Sequence, residues 1–342
     1  MKTEEFYINK CIEIARLAKG KTSPNPMVGS VIVCNGEIIG EGYHENYGKA
    51  HAEVNSITSV KDKSLLQKST LYVNLEPCAH FGKTPPCSNL IIEHKIPKVV
   101  IGCMDTFSEV SGKGIAKMEK AGIEVIVGVL EKESRELNKR FFTFHEQKRP
   151  YIILKWAISK DGYIAPQNQI ESFWMTSSES KKLVHKWREE EDAILVGRVT
   201  AEKDNPSLTV REVEGNNPIR IVIDKDLKLS TDLNLFNSEA ETLIFNSVKT
   251  EKIYTNNFIK IDFNNLIKNI LKELYKQNIQ SVIIEGGNKT LQSFIDTNMW
   301  DEARIFTTNK ELTDGVKDPN IKGEIITETE IGGDKLKIIR ND

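Results

Sequence analysis

The sequence predicts two α/β domains in tandem, and three observations carry that expectation. At 342 residues the chain exceeds what a single hydrophobic core usually supports. Short β-rich runs alternate with helical stretches through both halves. Between the halves, residues 131–145, "EKESRELNKRFFTFH", read as a charged amphipathic helix, and "EQKRP" after it is the natural boundary. The domains are accordingly drawn at 1–147 and 148–342.

Residues 4–19 place Phe6, Ile8, Cys11, Ile12, Ala15 and Ala18 near helical spacing, and "SPNPMVG" then stops the helix with two prolines. The runs "VGSVIVC", "EIIGEGY", "STLYVNLE", "KVVIGCM" and "EVIVGVL" read as strands, with helices expected after "HAEVNS", after "PPCSNL" and around "GIAKMEKAG". In the second half "YIILKWAIS", "DAILVGR", "IRIVID", "TLIFN", "SVIIEGG" and "ARIFTT" read as buried or half-buried strands. The Asn- and Lys-rich segment 246–278 reads as surface helix and loop. There is no repeat at solenoid period and no low-complexity tract.

Hydrophobic content of 39%, charged content of 28% and a net charge of -2 describe a soluble globular protein. They give it no bulk electrostatic claim on nucleic acid or an anionic membrane. Residues 1–20 carry charges throughout and lack signal-peptide features, and no apolar run reaches membrane-spanning length, so the cytoplasm is the default compartment. Nothing in the sequence excludes a homo-oligomer. Cys11, Cys34, Cys78, Cys87 and Cys103 are too few for a disulfide scaffold, which ranks metal binding above disulfides.

The chemistry concentrates in "HAEVNS", from His51, and "EPCAHFGKTPPC", which ends at Cys87. Histidine and thiolates suit zinc, and the expected ligand set is His51, Cys78 and Cys87. Cys87 would open a helix, where the dipole and free N–H groups favour thiolate. His51 and Glu53 lie roughly 200° apart around an ideal helix, so they can serve one site only at its first turn. Three strong ligands leave tetrahedral zinc one open position, which catalytic sites fill with water, and Glu53 is the natural base for it. A structural zinc with His80 or Cys103 as fourth ligand is the alternative. His-x-Glu followed by Pro-Cys and a second Cys is a signature of zinc nucleobase deaminases. Here the second cysteine follows the first by nine positions, and the insertion "AHFGKTPP" is polar, cationic and turn-forming.

With "SPNPMVG", "HAE" and "EPCAHFGKTPPC" in that order, the first half resembles the deaminase domain of the bifunctional deaminase-reductases of riboflavin biosynthesis. The resemblance implies a cytidine-deaminase-like, three-layer α/β/α fold with one zinc per chain on His51, Cys78 and Cys87, and Glu53 as proton shuttle. It assigns Asn25, His44, His80 and Lys83 to the pyrimidine or its ribose phosphate. Where that family has an Asp-Pro-Asn-Pro loop this chain has "MDTFSEVSGKG", which keeps Asp105 and loses both prolines.

In the second half "LKWAISKDGYIA", "WMTS", "DAILVGRVTAEKDNPSLTVR" and "IIEGGNKTL" resemble the reductase domain of the same enzymes, which implies a dihydrofolate-reductase-like α/β fold using NADPH. No GxGxxG follows a strand, so an ordinary Rossmann site is not expected, whereas "EGGNK" supplies a strand end, two glycines and a helix start suited to phosphate. The resemblance places Ala157, Trp174, Thr200, Asp204, Gly287, Asn288, Lys289, Thr290, Leu291, Gln292 and Ser293 against NADPH. It places Ser172, Arg188, Leu208, Arg211 and Glu285 against the sugar phosphate, with Lys155 and Asp204 as acid-base or orienting groups. Taken singly, Trp174 reads as core, Lys155 as an exposed strand residue and "DNP" as a turn. A phosphate monoester calls for forked, charged donors, which Arg188 and Arg211 supply if the fold brings them together.

The implied activity is deamination of 2,5-diamino-6-(5-phosphoribosylamino)pyrimidin-4-one, then reduction of the product's ribosyl group to ribityl. Two rivals stand beside it. A deaminase acting on a splayed nucleic-acid strand would need a basic groove or stacking surface, against which the acidic net charge argues. A non-catalytic zinc-stabilised module is the other.

Overall fold

The computed structural model describes residues 2–79, 85–106, 111–167 and 174–341. His80, Lys83 and Ser172 therefore lie outside the described residues. The chain divides into two compact units, Met1–Lys148 and Arg149–Asp342. Among the described residues no helix is long and apolar enough to cross a membrane.

In the first unit the elements run α1 (Glu4–Ala15), β1 (Gly29–Cys34), β2 (Glu37–Tyr43), α2 (Ala52–Ser59), β3 (Thr70–Leu75), α3 (Cys87–Glu93), β4 (Lys98–Cys103), α4 (Lys113–Lys120), β5 (Glu124–Val127), α5 (Glu131–Leu137) and α6 (Lys139–Gln147). The sheet order is β2-β1-β3-β4-β5, with β1 antiparallel to both neighbours and β3, β4 and β5 parallel. Alternate side chains leave opposite faces. Ile32, Leu71, Val73, Val99 and Ile101 pack with Ile57 of α2, Ile91 of α3 and Met118 of α4. Val31, Val33, Tyr72 and Val100 pack with Ile8, Cys11 and Ile12 of α1 and Leu137 of α5. The result is a sheet between two helical layers.

The single helix expected over 131–145 is two helices, broken at Asn138. The Asn138 amide accepts the Met27 N–H at 2.8 Å and donates to the Met27 carbonyl at 2.9 Å. Those bonds to a distant turn compete with helix continuity, and Asn138 takes φ -107°.

The helix that follows His51 lies directly on β2. A Cβ at Gly40 would fall 2.5 Å from the Ser56 carbonyl oxygen, and one at Gly42 would collide with the Ser56 nitrogen. Asn55 Nδ2 donates to the Tyr43 carbonyl at 2.8 Å, and Ser59 Oγ accepts the Glu41 N–H at 3.0 Å. At the far end Lys63 Nζ donates to the carbonyls of Ile57, Thr58 and Val60, satisfying acceptors the last turn leaves open.

The second unit runs β6 (Tyr151–Ile158), β7 (Tyr163–Ala165), α7 (Ser178–Glu190), β8 (Ala193–Gly197), α8 (Arg198–Asp204), β9 (Ile219–Ile223), β10 (Thr242–Asn246), β11 (Glu251–Ile253), β12 (Asn256–Lys260), α9 (Leu266–Lys276), β13 (Ser281–Gly286), α10 (Asn288–Asp296), β14 (Glu302–Thr307), β15 (Val316–Lys317), β16 (Glu324–Ile331) and β17 (Asp334–Arg340). Its main sheet has the order β11-β12-β10-β9-β8-β13-β6-β14-β17-β16. From β12 to β14 neighbours are parallel, and antiparallel strands close both edges. Here the reading of 246–278 as surface helix and loop is corrected, because the segment also holds β11 and β12. At the other edge β16 is exposed along nearly its whole length, so it has no buried face to show alternation.

Adjacent β8 and β13 send their chains in opposite directions. From β8 the chain passes through α8 to β9, and from β13 through α10 to β14 on the other side. Such diverging connections open a crevice beyond the carboxyl ends of the two strands, the usual ligand position in an open parallel sheet.

Close seating of α2 has a measurable consequence. Gly42→Ala should destabilise the first unit by about 1–3 kcal/mol, the range for overpacking a tight contact, read as a lower urea midpoint. An unchanged midpoint would show that α2 has room to move off the strand.

Candidate metal centre and a second charged site

Three segments meet at the metal centre. His51 is the residue before α2, with extended backbone and no side-chain capping bond, so its imidazole is left for another role. Cys78 follows the end of β3, and Cys87 is the first residue of α3. His51 Nδ1 lies 3.6 Å from Cys78 Sγ and 3.3 Å from Cys87 Sγ, and the three potential ligand atoms are all within 4.8 Å of one another. The Cys87 N–H also donates to Cys78 Sγ at 3.2 Å. One imidazole nitrogen and two sulfurs converging in this way fit zinc. Cys103, considered as a fourth ligand, donates its thiol to the Asn74 carbonyl at 3.4 Å instead.

The charges are tuned by the same contacts. A hydrogen bond from the Cys87 thiol is the main cause that holds Cys78 as thiolate, down to about 4. The donating Cys87 is pushed up by that bond and by burial. The Cys78 sulfur in turn raises His51 to about 8. A metal ion takes the place of such shared protons. Glu53, in the first turn of α2, is only 3% exposed, and burial followed by the nearby Cys78 charge raises its carboxyl to about 7.

Beside them His44 is 2% exposed, its ring 5.4 Å from that of His51 and edge-on to it. His44 Nδ1 is 3.0 Å from the Ala50 carbonyl and Nε2 is 3.1 Å from Asn25 Nδ2. A carbonyl only accepts, so Nδ1 carries the proton and Nε2 accepts from the Asn25 amide. Burial keeps the ring below its usual pKa and therefore neutral.

Residues that the sequence reading did not single out hold this arrangement. Glu76, 4% exposed, accepts the backbone N–H groups of Asp105, Gly112, Gly114 and Ile115 at 2.9–3.3 Å. It thereby ties the start of α4 to the strand end that carries Cys78. Asn74, fully buried, accepts the Gly29 N–H at 2.7 Å and donates to the Met27 carbonyl at 3.1 Å, and so fixes the turn after Asn25. A carboxylate at the end of a buried strand must find donors, and that was the available signal for Glu76.

In the second unit Glu285 of β13 and Arg188 of α7 form a buried forked pair, with Nε–Oε1 3.2 Å and Nη2–Oε2 2.8 Å. Burial would raise Glu285, but the charges of Arg188 and Lys155 outweigh it and hold the carboxyl at about 2. Lys155, on the neighbouring β6, is lowered by burial against the pull of Glu285. Arg188 also donates from Nη1 to the Thr209 carbonyl at 3.3 Å, and Arg211 donates from Nη1 to Thr209 Oγ1 at 3.1 Å. The two arginines thus converge on Thr209, with Arg211 exposed and Arg188 committed to Glu285.

At the crevice, Gly197, Thr200, Gly286, Gly287 and Thr290 come together. A Cβ on Gly287 would lie 3.0 Å from Thr200 Oγ1, one on Gly197 would lie 2.5 Å from Thr290 Oγ1, and Gly286 has φ +128°. This glycine-lined cradle at the start of α10 fits a phosphate-bearing cofactor. Asn288 donates to the Lys317 carbonyl and Lys289 is exposed. Ala157 is half-buried on β6, and Asp204 ends α8.

The side chains of several of these residues are already engaged. The Leu208 side chain is 2% exposed among Ile194, Val196 and Ala201, and Leu291 is fully buried in the core, so each has only its backbone to offer a ligand. Gln292 bonds to Asp296 and Asn320, and Ser293 to the Lys289 carbonyl. Trp174 is not core but 45% exposed, with Lys181 Nζ 5.5 Å from its ring centre.

The chain matches the family described as the cytidine and deoxycytidylate deaminase zinc-binding region over residues 1–103 and the RibD C-terminal domain over 150–312. It is 43% identical over 321 residues to the riboflavin biosynthesis protein RibD of Aquifex aeolicus, covering 92% of this chain and 89% of that one. With the Escherichia coli protein of that name it shares 32% identity over 331 residues, 90% of this chain and 88% of the relative. The crystal structure of the Thermotoga maritima diaminohydroxyphosphoribosylaminopyrimidine deaminase/5-amino-6-(5-phosphoribosylamino)uracil reductase superposes with a TM-score of 0.90 at 37% identity, covering 99% of each chain. With a zinc-type ligand set in one unit and a glycine-lined crevice in the other, the chain belongs to the RibD family, the bifunctional deaminase-reductases of riboflavin biosynthesis.

Proposed function

We propose that the first unit deaminates 2,5-diamino-6-(5-phosphoribosylamino)pyrimidin-4-one and that the second reduces the ribosyl group of the resulting 5-amino-6-(5-phosphoribosylamino)uracil to ribityl. The observation that supports the first assignment most directly is the convergence of His51, Cys78 and Cys87 beside a buried Glu53. When bound, zinc supplies Lewis acidity that makes water acidic near neutral pH, and positive charge that favours both thiolates. Glu53 accepts a proton from water, delivers it to the ring nitrogen next to the reacting carbon, and then assists departure of ammonia. A carboxyl buried in the first turn of the helix that follows His51 is placed to take a proton from water and give it to the ring nitrogen. His44 holds Asn25 so that the amide oxygen is left to meet a donor on the pyrimidine.

When bound in the second unit, NADPH would supply a hydride for the sugar's C1, and the proton that completes the reduction would come from Lys155, Asp204 or water. Gly286, Gly287 and the first turn of α10 provide backbone amides for its phosphates, next to Thr200. Arg211 binds the substrate phosphate, Arg188 and Glu285 hold each other and the Thr209 segment in place, and Lys155 or Asp204 orients the opened sugar. The distal phosphate then acts as a handle that fixes the reacting carbon.

Two variants separate ligand from base. Cys87→Ser should lose zinc, measured by elemental analysis as metal per chain, together with deamination; full zinc and full rate would remove Cys87 from the ligand set. Glu53→Gln should keep its zinc and the reductase activity while deamination falls by about two to four orders of magnitude. Loss of zinc in that variant would make Glu53 a ligand instead.

Arg211→Lys keeps the charge but not the fork. Reduction of preformed deaminated intermediate should show a raised KM, with deamination and NADPH affinity nearly unchanged. Unaltered reductase kinetics would move the phosphate elsewhere.

A further inference from the structure

One face of α7 carries Lys181, His185 and Arg188, at the i, i+4 and i+7 spacing that aligns side chains along a helix. Each of the three holds a successive part of the segment 209–212. Lys181 pairs with Glu212 at 2.6 Å, His185 Nδ1 accepts the Arg211 N–H at 3.1 Å, and Arg188 Nη1 donates to the Thr209 carbonyl at 3.3 Å. The outer ion pair is solvent-exposed and contributes little. His185 and Arg188 are both buried, so they define where the segment lies.

His185 is fully buried, and it accepts through Nδ1, which requires the neutral tautomer with the proton on Nε2. Burial, then the charges of Arg188 and Arg211, push it down to about 4 against Glu212 and Glu285, in keeping with that tautomer. Among the described residues Nε2 has no hydrogen-bond partner.

We infer that His185 is a positioning residue for substrate recognition in the second unit: by holding the Arg211 backbone it aims the Arg211 guanidinium at the substrate's phosphate monoester. This rests on the reading of Arg211 as the phosphate ligand. Arg211 itself is exposed, and apart from its bond to Thr209 Oγ1 its direction is set by the backbone that His185 grips. His185 does not touch substrate. It therefore affects binding of the phosphorylated sugar and not electron transfer.

The test compares full-length His185→Leu, His185→Asn and Arg211→Lys in reductase kinetics, using 5-amino-6-(5-phosphoribosylamino)uracil and its dephosphorylated counterpart. His185→Leu should raise KM for the phosphorylated substrate about tenfold, the scale of one lost buried hydrogen bond. The kcat and the KM for the dephosphorylated compound should stay within about twofold. His185→Asn, whose Oδ1 can occupy the Nδ1 position, should restore most of the loss. If the Leu variant does not fold, His185→Ala, which only removes atoms, takes its place. Equal changes for both substrates, a fall confined to kcat, or no rescue by Asn would overturn the inference and leave His185 as a packing residue. Discrimination by Arg211→Lys without any by His185→Leu would sink only the His185 role, whereas failure of Arg211→Lys to discriminate would remove the phosphate reading beneath it.

Discussion

Gly40 and Gly42 leave no side chain between β2 and the backbone of α2, where an added Cβ would overlap Ser56. That contact sets the height of α2 above the sheet, and with it the positions of His51 just before the helix and Glu53 in its first turn. Cys78 is fixed independently, by the end of β3 in the same sheet, and Cys87 by the start of α3. The ligand set closes only because a helix and a strand end are held to one reference plane. Glycine at those two positions is therefore as much a part of the metal centre as the donors are.

Around this frame, buried side chains serve the backbone more than one another. Glu76 collects four backbone N–H groups, Asn74 and Asn138 bind both polar groups of Met27, and Lys63 collects three carbonyls. Buried polar groups persist only when satisfied, and each of these residues also satisfies turn or helix-end groups that regular structure leaves open. The same bonds interrupt local structure where they must, as at Asn138 between α5 and α6.

The second unit solves a different problem, holding two anionic ligands without a Gly-x-Gly-x-x-Gly turn. Diverging connections at β8 and β13 open the crevice, and glycines at both strand ends let backbone approach it. Charge is handled in layers. Glu285 neutralises Arg188, so that buried arginine can orient the Thr209 carbonyl at low cost, while the exposed Arg211 remains the group directed outward. Lys155 shares the field of Glu285 from the adjacent strand.

By itself the sequence determined the α/β class, the zinc-type ligand set and most central strands, because short continuous apolar runs and the His, Glu and Cys spacings are local signals. The riboflavin-biosynthesis family was legible in the ordered motifs, and each motif carried weight only within the whole set. Tertiary structure alone decided what depends on contacts between distant residues. It revealed β11, β12, β16 and β17, which lie in or near sheet edges and carry weak alternation. It decided that Leu208 and Leu291 turn into the core while Trp174 turns out, since a side chain's direction follows from packing and not from its neighbours in sequence. It also assigned Glu76, Asn74 and His185 their backbone partners, 29 to 47 positions away for the first two and 26 for the third, distances at which only the folded chain brings donor and acceptor together.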